Sequence, residues 1–466
     1  MNRINQLGRI NKLSSTGSVS IPALEPPSSL TLTPTSDTGM TVNWILPLTV
    51  PDLICIERSL NAIDFAEIDV INGNLETYAD SALTGNTLYY YRIRTKTADS
   101  KYFSGYSNIG SDYTYYAMLL TATGTGAGVS TLRLLTTVSH TAILTGLSKF
   151  YTDAAGTANE SATWQITSGA LRTIYIRCPS ATAKLLIKVR TIQRLGSDAT
   201  TNNGWASSTN APSLSADLSK FIIATHIALT GTNTLSGDFS GLLQLIYFYI
   251  PASGATATAN ITNLINLVMM TYQAVGGNLS GNITNLNAID QLKVTTPNTL
   301  TGSVNGKVNS TYLQATGTNT IGGELAETGL INNLSYLYFN PSGQFTYSST
   351  GHNVWANLQI RIYPVVGAGM TAAHQANMII DIANSPVGPV SQIVYFLGNN
   401  ASMADTNQGG AWGDFSGSAA PSALAIAYKN MIRTRTNTLS MNGIAAPGGS
   451  GDGTGFPAGF GNWYRS

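Results

Sequence analysis

Residues 278–325 read NLSGNITNLNAIDQLKVTTPNTLTGSVNGKVNSTYLQATGTNTIGGEL, and one phrase recurs in them as Leu279-Ser-Gly281-Asn, Leu300-Thr-Gly302-Ser and Ile321-Gly-Gly323-Glu. Working outward, Leu214-Ser-Ala216, Leu235-Ser-Gly237 and Ala257-Thr-Ala259 precede them. The small third residue falls at 216, 237, 259, 281, 302 and 323, at intervals of 21, 22, 22, 21 and 21. Looser copies continue around Gly343 and Gly367. A period this regular marks a solenoid, because one such unit cannot bury its apolar face without a stacked neighbour.

An Asn stands just ahead of the phrase in Asn233-Thr-Leu235, Asn298-Thr-Leu300 and Asn319-Thr-Ile321. A buried side-chain amide there can satisfy backbone groups that a tight turn leaves unpaired. Six residues before the Asn slot stand Ile227, Ile250, Tyr272, Leu292 and Leu313, with Leu337 in a looser copy; they are expected to form an inward ladder. Strand alternation then turns their neighbours outward: His226, Tyr249, Thr271, Gln291, Tyr312 and Tyr336 on one side, Ala228, Pro251, Gln273, Lys293, Gln314 and Tyr338 on the other. A further copy adds Gln359, Arg361 and Tyr363. Planar amides beside aromatic faces can hold a sugar or a flat protein surface, although Tyr and Thr are also ordinary strand residues. The candidate partner face is therefore Tyr249, Gln273, Gln291, Lys293, Tyr312, Gln314, Tyr336, Tyr338, Arg361 and Tyr363.

The period of 21–22 and the Asn-x-Leu half of the motif resemble leucine-rich repeats, whose consensus is L-x-x-L-x-L-x-x-N-x-L. The copies depart from it: Thr256 stands in the second Asn slot, Asn278 lies one residue closer to Leu279, and Tyr or Met often replaces an aliphatic. The resemblance implies a degenerate leucine-rich-repeat-like solenoid.

Composition agrees with a β-rich chain. Of 466 residues only 10% are charged, against about 25% in an ordinary globular protein, and Gly numbers 46. A net charge of +1 gives no overall electrostatic footprint for nucleic acid or an anionic membrane. With 43% hydrophobic residues the chain can build cores. Its greasiest run, Leu242 to Ile250, is far short of the ~20 residues that span a bilayer. The first twenty residues hold no apolar run of a secretory leader, so assembly in a cytoplasm is expected. Cys55 and Cys178 fall in separate segments and are expected to be structural thiols.

Ahead of the repeat, residues 26–44 (PPSSLTLTPTSDTGMTVNW), 53–59 (LICIERS), 65–70 and 88–97 read as strands separated by turn clusters such as Asn72-Gly73-Asn74. Short strands at this spacing indicate an antiparallel sandwich of about 90 residues. Leu83-Thr-Gly-Asn-Thr87-Leu-Tyr89-Tyr-Tyr91-Arg92-Ile93, followed by Gly105-Tyr-Ser107, resembles a fibronectin type III module. That resemblance implies a tyrosine corner in the Leu83–Ile93 stretch and a buried Trp44 on the second strand.

Beyond the repeat, a helix from Thr371 with Met378, Ile379 and Ile382 on its apolar stripe, a strand over 393–397, Leu397-Gly-Asn-Asn400 and a second helix over 421–432 are expected. This ending resembles the C-terminal cap of leucine-rich-repeat proteins from tailed bacteriophages and their bacterial hosts. Residues 117–200 resemble the leader that precedes such repeats. The tail from 441 is rich in Gly and Pro, with Phe456, Phe460, Trp463 and Tyr464 suited to docking. The expected fold is thus mainly β: an N-terminal fibronectin type III β-sandwich followed by a capped leucine-rich-repeat-like β-solenoid, with short helices in the C-terminal cap. The segments are 1–24 anchor or linker, 25–115 sandwich, 116–211 strand-rich N-terminal cap, 212–370 solenoid, 371–440 C-terminal cap and 441–466 tail.

Chemistry is sparse. His140, His226, His352 and His374 lack metal-ligand spacing. Thr123-Gly-Thr-Gly-Ala-Gly128 lacks the Lys of a phosphate loop, and no G-x-S-x-G elbow occurs. Among the acids of the repeat region the candidates are Asp238, Asp290, Glu324 and Glu327, and only the last two are close in sequence. No catalytic residue, cofactor or metal is expected. The reading is a structural bacteriophage virion protein (a capsid decoration, head fibre or tail appendage) with adhesive function. Its partners would be other virion proteins and host surface glycan or protein, in multiple copies, without nucleic acid or membrane insertion. The alternatives are a bacterial surface adhesin and a polysaccharide depolymerase with paired carboxylates. Leu292→Asp and Leu313→Asp should unfold the solenoid, at a cost of several kcal/mol. Gln291→Ala and Tyr312→Ala should leave the circular-dichroism melting curve unchanged, and collapse of either variant would refute the inward and outward assignment.

Overall fold

The computed structural model describes residues 24–348, apart from 180–181, 197–204, 208–209, 231–232, 254–255, 275, 296, 317–318, 327–329, 331–332, 335 and 341–344. It also describes His374 and the strands Ile362–Pro364, Val394–Phe396, Leu439–Met441 and Ile444–Ala445. The expected helices from Thr371 and over 421–432, the Leu397–Asn400 turn and the tail lie outside the described residues, as does the segment 1–23. The described residues are mainly strand. The chain divides into two units, Met1–Thr114 and Tyr115–Ser466.

The first unit is a two-sheet antiparallel sandwich. Its strands are β1 Ser28–Pro34, β2 Met40–Ile45, β3 Leu53–Ser59, β4 Ala66–Asn72, β5 Thr77–Asp80, β6 Leu88–Lys96 and β7 Gly110–Tyr113. One sheet has the order β1-β2-β5 and the other β4-β3-β6-β7. In β6 every second residue is buried, which places Tyr89, Tyr91 and Ile93 in the core with Trp44, Ile54 and Ile56. The tyrosine corner implied by the sequence is present: Thr84 N donates to Tyr89 Oη at 3.0 Å. Tyr91 Oη donates to Asp80 Oδ2 at 2.7 Å, and Arg58 pairs with the same oxygen at 2.7 Å. Burial, then the hydrogen bond to this carboxylate, holds the Tyr91 phenol protonated far above its ordinary range.

The second unit is built on three sheets: a smaller and a larger one that run from antiparallel strands into parallel ones, and a five-stranded, wholly parallel one over Thr258–Asn260, Asn278–Asn282, Asn298–Ser303, Thr320–Glu324 and Phe345–Thr346. Strand Tyr116–Thr121 pairs antiparallel with Thr182–Ile187 on one side and with Ser213–Asp217 on the other, and Ser213–Asp217 then pairs parallel with Asn233–Ser236. In the larger sheet Ser130–Thr136 pairs antiparallel with Ile192–Leu195. From there every strand is parallel through His226–Ala228, Tyr247–Ser253, Met269–Ala274, Gln291–Val294, Tyr312–Thr316 and Tyr336–Asn340. One apolar core runs the whole length, from Met118 to Tyr347. Each fully buried Leu or Ile in it contributes roughly 1.5–3 kcal/mol relative to exposure.

The inward ladder differs from the sequence expectation in register. The paired inward residues are Ile227, Phe248, Met270, Leu292 and Leu313, and Leu337 follows Leu313 in the backbone register. Ile250 and Tyr272 also point inward and are fully buried, but one rung later, in line with Val294 and Ala315. The cause is coil length. Nine residues separate Phe248 from Ala257 and Met270 from Leu279, whereas eight separate Leu292 from Leu300 and Leu313 from Ile321. The extra residue, together with Thr256 and Asn278 standing one residue nearer to Ala257 and Leu279, shifts a count made backward from the Asn slot by two. The amides themselves act as expected: Asn233 Nδ2 donates to Thr230 O, Asn298 Nδ2 to Thr316 O and Asn319 Nδ2 to Ala315 O, at 3.2, 2.6 and 3.2 Å.

The recurring small residue is explained by the turn that follows it. Asn260 Oδ1 accepts from Thr262 N and Asn282 Oδ1 from Thr284 N, at 3.1 and 2.8 Å. The hydroxyls of one coil then reach the next: Asn260 N donates to Ser240 Oγ, Asn282 N to Thr262 Oγ1 and Ser303 N to Thr284 Oγ1, at 2.7, 2.9 and 3.1 Å. Glu324 N continues the series onto Asn305 Oδ1 at 3.0 Å. Gly281, Gly302 and Gly323 precede these donors with φ of +113°, +109° and +120°. A Cβ on any of them would strike the capping side chain of the coil before, Asn260, Asn282 or Asn305. Replacing Gly302 by Ala should therefore cost about 1–3 kcal/mol for backbone strain alone. Ala at Gly241, which has open space around it, should be near neutral. Calorimetric melting of both variants checks this; equal melting temperatures would contradict the ladder.

Candidate functional site

The large sheet of the second unit carries the candidate face. Because its strands are in parallel register, side chains at matching positions line up across the coils. One outward row is Arg194, His226, Tyr247, Met269, Gln291 and Tyr312; the next is Ala228, Tyr249, Thr271, Lys293 and Gln314, and the backbone register pairs Tyr336 with Tyr312 and Tyr338 with Gln314. Tyr249, Gln291, Lys293, Tyr312 and Gln314 thus share one face and are half-buried. Tyr249 and Thr271 lie in the second row rather than the first, and Gln273 lies one rung beyond, all because of the longer coils. Tyr363 pairs with Tyr338 in the backbone ladder, while Arg361 lies outside the described residues.

Three residues expected to be exposed are buried: His226 and Thr271 are each 5% accessible and Ala228 is fully covered. Their positions are on the outward side, but neighbours cover them. The His226 ring stacks on Tyr247 with centroids 5.9 Å apart, and Tyr247 leans on Tyr249 at 6.4 Å. Tyr312 Oη donates to Gln314 Oε1 at 2.7 Å, which fixes the amide beside the ring. The sequence reading missed Tyr247, Met269 and Arg194. Pairing Leu292 with Met270 and Phe248, instead of counting from the Asn slot, would have found the first two.

The acids of the repeat are tied up in turns. Asp238 Oδ1 accepts from Ser240 N, and Asp290 Oδ1 accepts from Thr311 N and Oγ1. Glu324 accepts from Ala326 N, Ser348 N and Thr346 Oγ1. Burial alone would raise the Glu324 carboxyl, but these donors outweigh it and hold it below its ordinary value. Glu327 lies outside the described residues. Among the described residues no group of three His, Cys, Asp or Glu side chains could hold a metal ion, and no helix is long and apolar enough to cross a membrane.

The sandwich has a polar cluster of its own. Glu57, nearly buried, takes Arg92 at 2.6 Å, Arg94 at 3.1 Å and the Tyr106 hydroxyl at 3.1 Å. The guanidinium of Arg92 lies 3.8 Å from the Tyr106 ring centroid and 4.2 Å from that of Phe65; Arg94 lies 4.1 Å from Phe103. Beside them Cys55 Sγ donates to Glu67 Oε2 at 3.0 Å. The cations are neutralised by Glu57 and sandwiched by rings, so the cluster braces the sheet.

No family model matches this sequence, and no curated protein matches it. The similar solved structures include fibronectin type III domains. The sixth such domain of human fibronectin type III domain containing protein 3 is 19% identical with a TM-score of 0.18, covering 21% of this chain and 92% of that one. The FN5 domain of Drosophila Lar is 18% identical with a TM-score of 0.17, covering 20% and 97%. Titin domains A168–A170 are 15% identical with a TM-score of 0.18, covering 20% of this chain; the match spans about a third of that structure (32%).

The buried Cys55 offers a direct check on the sandwich. Burial first, then its bond to Glu67, against the opposing pull of Arg94, raises the thiol from an ordinary 9.0 to about 11. The protonated thiol therefore stabilises the fold fully below pH 9, and that stabilisation fades as pH climbs toward 11. Both Cys55 and Cys178 are buried and free of disulfides. A thiol reagent at pH 8 should leave both untouched in the folded protein and modify both in denaturant; rapid labelling of the folded chain would contradict the packing described.

Proposed function

We propose that this chain is a structural, non-enzymatic component of a bacteriophage virion, a capsid decoration, head fibre or tail appendage. Adhesion would be its task, through the outward face of the large sheet. In this reading the first unit is a fibronectin type III module, supported by its three-on-four strand order and tyrosine corner, and serves as a spacer or platform. The second unit is a degenerate leucine-rich-repeat-like solenoid, supported by the 21–22-residue period and the buried Asn donors.

The observation that carries the reading is the continuity of the face. Parallel strands run without a break from Ile192–Leu195 to Tyr336–Asn340, offering tyrosines, glutamines and cations on one side. A wide, flat surface of rigid aromatics and adaptable amides suits recognition of a sugar chain or protein surface more than catalysis on a small molecule. Acids engaged by local hydrogen bonds also argue for binding, since glycan cleavage asks for two carboxylates about 5–10 Å apart and available to substrate. Partners would be other virion proteins and a host surface glycan or protein, with the chain present in many copies.

Electron microscopy of the source particles with a labelled antibody to this chain tests the proposal. Label at repeated capsid sites or on tail appendages is the expected result. Label confined to cell surfaces would overturn it in favour of a bacterial adhesin.

A further inference from the structure

We propose that the outward face of the large sheet binds an acidic polysaccharide, its carboxylates meeting a line of cations and its sugar rings lying on the tyrosines. This rests on the adhesive reading above and specifies its ligand.

The argument begins with how charge is sorted. The whole chain has 24 basic and 23 acidic residues, yet the described strands of the large sheet carry Arg133, Lys149, Arg172, Arg177, Arg194 and Lys293 and not one Asp or Glu. Most acids of the same unit stand elsewhere; among the described residues Glu160 reaches the strand Lys149–Tyr151, accepting from Tyr151 Oη at 3.3 Å. Asp217 and Glu324 belong to the other sheets, Asp238 to the turn ladder, and Asp290 precedes strand Gln291–Val294. Chance placement in a chain so evenly balanced would mix the signs. Sorting them gives this sheet a positive field that a neutral chain does not otherwise have.

Alternation fixes where those cations point. Leu132 and Leu134, Ile174 and Ile176, Phe150, Leu195, and Leu292 with Val294 are all buried in the core. Arg133, Arg177, Lys149, Arg194 and Lys293 therefore face outward, each half-buried. Arg194 opens the row that continues through His226, Tyr247 and Gln291, and Lys293 sits between Thr271 and Gln314 in the row of Tyr249. Arg177 lies over the Tyr151 ring at 5.3 Å. Cations, rings and amides thus share the face.

The spacing selects the polymer. From Lys149 to Lys293 the sheet crosses seven strand gaps, roughly 34 Å at about 4.8 Å each. Five cations over that length are sparse for a duplex that carries a phosphate charge every ~1.7 Å. They suit a chain with about one carboxylate per sugar, whose apolar ring faces settle on Tyr249 and Tyr312 and whose hydroxyls are met by Gln291 and Gln314.

The full-length protein is run in affinity electrophoresis against polygalacturonate, dextran and duplex DNA, as wild type and as the Arg194→Ala/Lys293→Ala double variant. The expected result is retardation by polygalacturonate alone, weakened by salt. The double variant should lose about tenfold in affinity while keeping the wild-type melting temperature. Retardation by dextran to the same degree, unaffected by the double variant, would overturn the acidic specificity and leave an adhesive face for neutral glycan. Preference for DNA would overturn it in favour of a nucleic-acid surface. Absence of binding to all three would also overturn it. The broader adhesive reading fails separately, if Tyr249→Ala/Tyr312→Ala particles attach to their host as well as wild type.

Discussion

Each coil of the solenoid hands a hydrogen-bond acceptor to the coil that follows, and the architecture depends on that exchange. Ser240, Thr262, Thr284 and Asn305 present side-chain oxygens to the backbone N–H groups of Asn260, Asn282, Ser303 and Glu324. On the antiparallel strands Tyr116 Oη does the same for Asp217 N at 2.9 Å. Turn backbone groups that the strands cannot pair are satisfied in this way, which a stack with polar corners requires. At Gly281, Gly302 and Gly323 glycine is the geometric counterpart, since a Cβ there would strike the preceding cap, whereas Ala259 stands at the same place before Asn260.

Two consequences follow for the rest of the second unit. Fixing the turns fixes the register of the inward ladder, and with it the face that each neighbouring side chain takes. The core can then absorb irregular residues: Phe239 stacks on Phe248 at 4.7 Å, and Tyr272, though fully buried, donates to Ala257 O at 2.7 Å. Even Lys307 is accommodated, its Nζ donating to Thr284 O at 2.9 Å where the coils before it place Leu264 and Leu286. Because the same sheet extends back into the antiparallel strands, the outward face is wider than the repeat alone and gathers Arg133 and Arg177 beside the tyrosines.

Much of this was legible in the sequence, and the reasons are specific. The small residue at every twenty-first or twenty-second position is conspicuous because sterics forbid a Cβ at four of those sites, Gly237, Gly281, Gly302 and Gly323. The alternation of residues 88–96 is clear because one side of that strand packs against Trp44 and Ile56. The face was harder to read. In the second and third coils one extra residue, together with a slot one residue nearer the phrase (Thr256, Asn278), moved the count by two, onto Ile250 and Tyr272 on the next rung, and a count from one landmark cannot sense which neighbour a strand pairs with. Burial of His226 and Thr271 was invisible because it comes from the ring of Tyr247 and from adjacent coils, not from local pattern. The segregation of cations went unnoticed because it spans strands from Lys149 to Lys293, and only the sheet order brings them together.

Amide hydrogen exchange across residues 258–325 tests the central claim most directly. The side-chain ladder predicts that Asn260, Asn282, Ser303 and Glu324 exchange slowly and together, at the rate of the core strands, and that Thr284→Ala, which removes the acceptor of Ser303 N, speeds exchange at Ser303. Fast exchange at these four turn amides, at rates like those of exposed loops, would show that the coils stack without the ladder and would contradict the account.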